Sequence, residues 1–155
     1  MNLAQIAKIV PMLEPEDHNA GVDSDSINMG LYNHACFIIP FGELTGDAVL
    51  TVNSGATAGT KTTAETFRYR ATSTELKNDD GDELGDESTS DGLTLTAATY
   101  EDMMLVIELD ADELTDGQPW VTINISSAAS EVFASIVAVL TEPRYAKDVL
   151  PTAIA

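Results

Sequence analysis

Apolar residues recur at every second position along most of this chain, the period of a half-buried β-strand and not of a helix. The clearest case is Glu65 to Thr72, with Phe67, Tyr69 and Ala71 on one side and Arg68 and Arg70 on the other. Strands are also predicted at Asp47 to Val52, Leu93 and Leu95, Met103 to Leu109, Trp120 to Ile125 and Val132 to Leu140. Pro119 stands where a strand can begin without needing its N–H. Cys36-Phe37-Ile38-Ile39 is a continuous apolar run, as expected of a strand buried on both faces or lying at an interface, and Pro40 is expected to end it or put it at an edge. No strong internal helix interrupts this pattern; Ala97 to Asp102 reads as a single helical turn or connector. The expected fold is all-β, an antiparallel sandwich or jelly-roll/barrel-like domain of about seven strands.

The ends read differently. Leu3, Ile6, Ile9, Val10 and Leu13 approximate helical spacing, and Pro11 and Pro15 confine any helix to a few turns. So short a helix is marginal in water alone, so it either packs on its own domain or reaches a neighbouring subunit as an arm. Glu14 to Ser26 reads as a linker or loop. The resulting division is 1–25 as N-terminal arm and linker, 26–146 as the β domain and 147–155 as a C-terminal tail. The Gly-, Ala- and Thr-rich tract Asn53 to Thr63 suits a long hairpin loop. Ser73 to Asp91 is too acidic to bury much and is expected to be exposed.

Twenty-six acids against seven bases give a net charge of -19 over 155 residues. Such a polyanion repels phosphate backbones and anionic lipid, and its bases form no cluster, so neither nucleic acid nor membrane is an expected partner. The single cysteine, Cys36, excludes an intrachain disulfide framework. The N-terminus does not read as a signal peptide.

Catalytic patterns find little support. His34 and Cys36 project from one face of a strand, yet no sequence signature supplies the third group that would orient a base, so a buried cysteine beside a strand-edge histidine is the expected reading. Asp79, Asp80, Asp82 and Glu83 are a weak candidate calcium loop that fails EF-hand spacing, against which stands a solvated acidic turn. No catalytic residue, cofactor or firm metal site is expected, and the chain reads as a non-enzyme. Phe67, Tyr69, Trp120 and Phe133 are core candidates first. The excess of apolar side chains in Phe37 to Phe41 and Val132 to Leu140 marks a subunit interface if those strands are not central. The interface candidates are Leu3, Ile6, Ile9, Val10, Tyr32, Phe37, Arg144, Tyr145, Val149 and Leu150.

Four blocks carry a resemblance: Ser26-Ile27-Asn28-Met29 with Tyr32-Asn33-His34 and Phe37-Ile38-Ile39; Glu108-Leu109-Asp110-Ala111-Asp112-Glu113-Leu114; Trp120-Val121-Thr122-Ile123-Asn124-Ile125; and Leu140-Thr141-Glu142-Pro143-Arg144-Tyr145-Ala146. In these the chain resembles a family of small structural virion proteins of tailed bacteriophages, in particular capsid decoration (cement) proteins. The resemblance spans Ser26 to Ala146 in scattered blocks and omits the acidic loop. It implies synthesis in a bacterial cytoplasm and a multimeric β protein on the outside of the virion shell. There it would be bound to the major capsid protein, often as a homotrimer at local threefold positions, stiffening the lattice. The alternatives are a tail-tube, head–tail connector or fibre-base protein, and a glycan- or calcium-binding attachment module. The entry Ile27 to His34 and the exit Pro143 to Ala146 are expected to lie close together and to feed arms that grip neighbours.

Overall fold

The alternating stretches become strands of two stacked antiparallel sheets in a computed structural model, which describes residues 2–145 and 150–155. Twelve strands are present among the described residues. Sheet A has six, in the order β1 (Lys8–Asp17), β12 (Val132–Pro143), β4 (Tyr32–Leu44), β10 (Met104–Asp110), β7 (Phe67–Ala71) and β8 (Ser88–Ser90). Sheet B is built on β11 (Trp120–Ile125) and β5 (Ala48–Gly55), flanked by the short β2 (Val22–Asp23), β3 (Ile27–Asn28), β6 (Thr63–Glu65) and β9 (Leu93–Leu95). The all-β sandwich is therefore the observed class. The strand number exceeds the expected seven because pieces of two or three residues pair along the edges of sheet B.

The core is the set of inward-facing alternate residues. Ala35, Phe37, Ile39 and Phe41 of β4, Leu105, Ile107 and Leu109 of β10, and Ile136, Ala138 and Leu140 of β12 meet Leu50 and Val52 of β5 and Val121, Ile123 and Ile125 of β11, all buried. The period of two allows each strand to put every other side chain into this layer. β4 sits at its centre: Phe37 lies opposite Ile107 on one side and Ala138 on the other.

Several sequence expectations need correction. The N-terminal segment is helical only over α1 (Leu3–Ile6), and residues 8–17 form edge strand β1 along β12. Val10 and Met12, two apart, both point into the core, so the strand period prevails over the helical one. Pro11 and Pro15 are tolerated because an edge strand need not donate on its open side. The stretch read as a linker carries the end of β1, all of β2 and the buried His18, Ser24 and Ser26, so the chain from Lys8 onward is built into the two sheets. Pro40 does not end β4; it lies mid-strand opposite Met104, and the Phe41 N–H beside it donates to Met103 O at 2.8 Å. The single strand expected over 65–72 divides at Thr66: Glu65 pairs in sheet B and Phe67 in sheet A, making a corner between the layers. The acidic stretch supplies β8 and is tied down where Ser73 N–H donates to Glu83 O and Gly85 N–H to Ala71 O. Gly81 is required in that loop, because a Cβ there would stand 2.6 Å from Leu76 O. Phe133 is not core but exposed, since its neighbours Val132 and Ala134 take the inward direction.

Tyr32 and Phe37 were interface candidates, yet both are fully buried inside the subunit. Tyr32 Oη–H donates to Pro151 O at 2.6 Å, and Asn28 N–H donates to Ala153 O at 2.8 Å. Residues 150–155 thus dock back on their own subunit, with Ala153 buried. We expect Phe37→Ala to cost about 3–5 kcal/mol in urea denaturation. Tyr32→Phe should cost about 1 kcal/mol and should speed hydrogen exchange at the Asn28 amide and carboxypeptidase trimming of residues 150–155.

Candidate functional site

The expected closeness of chain entry and exit is observed. Pro143 lies opposite Tyr32, Thr141 opposite His34, and the Arg144 N–H donates to Leu31 O at 3.0 Å. Lys8 pairs with Leu140 and Asp110 with His34, so the beginnings of β1 and β4 and the ends of β10 and β12 share one end of sheet A. That end carries the exposed Leu3 (45%), Ile6 (55%), Ile9 (46%) and Tyr145 (59%). α1 buries no side chain of its own, so its apolar Leu3 and Ile6 stand in solvent on this subunit.

Two depressions flank the exit. One, of about 450 Å³, is lined by Asn33, Asp110, Ala111, Asp112, Glu142 and Arg144. The other, of about 240 Å³, lies between Met29, Leu114, Gln118, Pro119 and Arg144. Arg144 borders both. Glu142 adopts the left-handed region, φ 55°, near the end of β12 and immediately before Pro143, which still pairs with Tyr32, a costly local conformation within the strand.

The same end carries a charge network. His34 Nδ1 lies 2.6 Å from Asp110 Oδ1, and Arg68 Nη2 donates to Asp110 Oδ2 at 2.9 Å and to Glu113 Oε2 at 3.2 Å. Glu113 also accepts the Asp110 N–H at 2.8 Å, closing a capping box on the turn η1 (Ala111–Glu113). Glu108 Oε2 stands 2.7 Å from His34 Nε2, near enough for strong attraction though poorly aligned as a hydrogen bond, and it is otherwise unpartnered. Burial opposes charging of His34, but its hydrogen bond with Asp110 and the nearby carboxylates outweigh that and raise its pKa. The hydrogen bond with His34 is the main cause that lowers the pKa of Asp110, helped by Arg68 against burial. Cys36, on the same strand face as His34, has its thiol pushed up to about 12 by burial and by the Glu108 charge. A thiol so raised is a poor nucleophile, and His34 is clamped between acids, not aimed at sulfur as a base.

Of the interface candidates, then, Leu3, Ile6, Ile9, Arg144 and Tyr145 are exposed at one end, Val10, Tyr32 and Phe37 are core, and Leu150 is half-buried. Val149 lies outside the described residues. Asp79, Asp80, Asp82 and Glu83 are exposed on a series of turns, and among the described residues no group of three or more acids, histidines or cysteines is placed to hold a metal ion. Sequence reasoning missed the network of Arg68, Glu108, Asp110 and Glu113. Its only trace was the spacing of two that puts Glu108 with Asp110, and His34 with Cys36, on one strand face; which strands pair is not written in that spacing.

The apolar runs Phe37 to Phe41 and Val132 to Leu140 lie in interior strands of sheet A, so the condition set for reading them as an interface is not met; they fill the core with one side and the outer face of the sheet with the other. Cys36 and Ile38 of β4, Val137 and Val139 of β12, Met104 and Val106 of β10 are half-buried there, with Ile9, Pro11 and Phe133 more exposed. Sheet B presents Thr51, Asn53, Thr94 and Asn124 on the corresponding face, with Asn53 Nδ2 donating to Thr51 Oγ1 at 2.9 Å. The outer face of sheet A is thus the more apolar of the two, although sheet B also exposes Val49 there and sheet A carries Arg68, Arg70 and Glu108.

The raised pKa of His34 fixes a pH dependence. The stability that the ring contributes is fully present below the unfolded value of about 6.5 and is lost as pH rises through the higher folded value. Asp110 acts oppositely, its contribution being present above about 3.9 and lost as pH falls through its lowered folded value. Thermal melts should therefore show a higher midpoint at pH 6 than at pH 9, and His34→Gln should shrink that difference. An unchanged difference in the variant would mean that other groups cause it.

No family model and no curated protein matches the chain. Among solved structures it is similar to the SPBc2 prophage-derived protein YomS, with 14% sequence identity, 86% of this chain and 95% of that chain covered, and a TM-score of 0.49. At that score and identity the likeness carries no argument about what this chain does.

Proposed function

We propose that this chain is a structural virion protein of the capsid decoration type, binding the outer surface of a phage shell and stabilising it without catalysis. The observation that carries the reading is the gathering, at one end of sheet A, of the two terminal sequence blocks that resemble such proteins and of the exposed apolar residues Leu3, Ile6, Ile9 and Tyr145. On a -19 chain this apolar cluster gives a partner surface side chains from which to exclude water, beside the carboxylates Asp110, Asp112 and Glu142, which a partner would meet with polar or basic groups. The major capsid protein is the partner this reading requires. Elsewhere the acidity suits a surface facing solvent, where self-repulsion keeps many neighbouring copies hydrated. Each copy bound only to the assembled shell stabilises it by mass action.

The test uses shells stripped of the protein. Added back, the wild type should saturate them in fixed proportion to the major capsid protein and raise their resistance to heat. Leu3→Asp combined with Ile6→Asp, and separately Tyr145→Ala, should weaken binding at least about tenfold, equivalent to about 1.4 kcal/mol, while the protein's own melting point stays put. Shells that neither rebind the wild type nor gain stability from it would exclude this function. A copy number far below that of the major capsid protein would point to the tail or connector instead.

A further inference from the structure

The outer face of sheet A is made like the inner face of a sandwich. Its rows follow from the strand register: Ile9, Val139, Cys36, Glu108 and Arg68 lie side by side across β1, β12, β4, β10 and β7, and Pro11, Val137, Ile38, Val106 and Arg70 form the next row. Pro40 and Met104 continue it. Glu108 is the one carboxylate in these rows, and His34 holds it at 2.7 Å. The face is also contoured. A depression of about 240 Å³ is lined by Pro15, Pro40, Gly42, Phe133 and Ser135, and one of about 420 Å³ at the open β1 margin by Pro11, Leu13, Pro15 and Val137 together with the acids Glu14 and Asp25, which bound the apolar area on that side.

We propose that this face is covered by a second copy of the chain, the two copies meeting through the same face. Charge selects the occupant. With 26 acids on the chain, contact through most other surfaces brings carboxylates against carboxylates or strands them on apolar side chains, whereas this face meets its own copy with almost none. The hydroxyl and amide face of sheet B is a poor cover, because Thr51, Asn53 and Asn124 would lose water there without gaining partners. Four strands at about 4.8 Å spacing and about seven residues of length give roughly 450 Å² in projection. That is the size of a small interface, so the pair is expected to depend on concentration. Sheets stacked in this way pack about 10 Å apart, with the side chains of one filling hollows of the other, and Phe133 beside the Pro40 depression offers such a knob and hole. The pairing face adjoins the end proposed to bind the shell, with Ile9 on the border of both, while Val137 and Ile38 lie on the face and Leu3, Ile6 and Tyr145 outside its rows.

Light scattering of the full chain across a concentration series tests the proposal. The wild type should have about twice the 16.5 kDa mass of one chain, and Val137→Lys or Ile38→Lys should reduce it to one. Thr51→Lys, on sheet B, should leave it unchanged. Because a lysine on the face can also disturb folding, Val137→Cys in a Cys36→Ser background gives a second readout: it should form a disulfide-linked pair under mild oxidation. A one-chain mass at all concentrations, a mass that survives Val137→Lys in a folded variant, or a larger assembly in which Val137→Cys forms no homotypic cross-link overturns the proposal. A pair that forms yet never binds shells would sink the decoration role and leave the pairing intact.

Discussion

Everything in this molecule depends on β4 being packed from three directions. It hydrogen-bonds to β12 on one side and β10 on the other, and its inward side chains Phe37 and Ile39 are fully buried against the second sheet. Long-range pairing of this kind orders the whole chain at once, because β12 comes about a hundred positions after β4. The free energy of burying those alternate apolar residues offsets the entropy of ordering, and it has to do so without any disulfide to help.

What lies outside β4 matters for function. Cys36, Ile38 and their neighbours in adjoining strands leave an apolar outer surface, while the acids are distributed over loops, edges and the end of the sheet. A protein that spreads -19 of charge while sparing one sheet face separates a contact surface from a solvating one. The charge network at His34, Asp110 and Arg68 sits at the border, where paired acids and bases cost little to approach. On the proposed reading these are its two contact surfaces, the exposed N-terminal turn and Tyr145 at one end and the apolar face at its side.

Much of this was legible in the sequence, and the reasons for the rest are physical. Strands with clean alternation, such as Met104–Asp110 and Trp120–Ile125, were located nearly residue for residue because each side chain's direction follows from its parity. The closeness of Tyr32 and Pro143 was also readable, from the terminal blocks. β1 was not: with Ile6, Ile9, Val10 and Leu13 at helical spacing, only pairing with β12 decides that Val10 and Met12 share the inward face. Tyr32 and Phe37 look the same in sequence whether they fill a core or an interface, and tertiary pairing alone put them inside. The His34 network joins residues 34, 68, 108, 110 and 113, a constellation that no local spacing encodes.

A cryo-EM map of the assembled particle tests the central claim most directly. The account predicts this chain on the outside of the shell, its N-terminal turn and Tyr145 against the major capsid protein, the outer face of sheet A covered, and the acidic loop around Asp82 open to solvent. A map in which the chain is absent from the shell exterior, or sits there with the outer face of sheet A bare and the acidic loop in the contact, would contradict it.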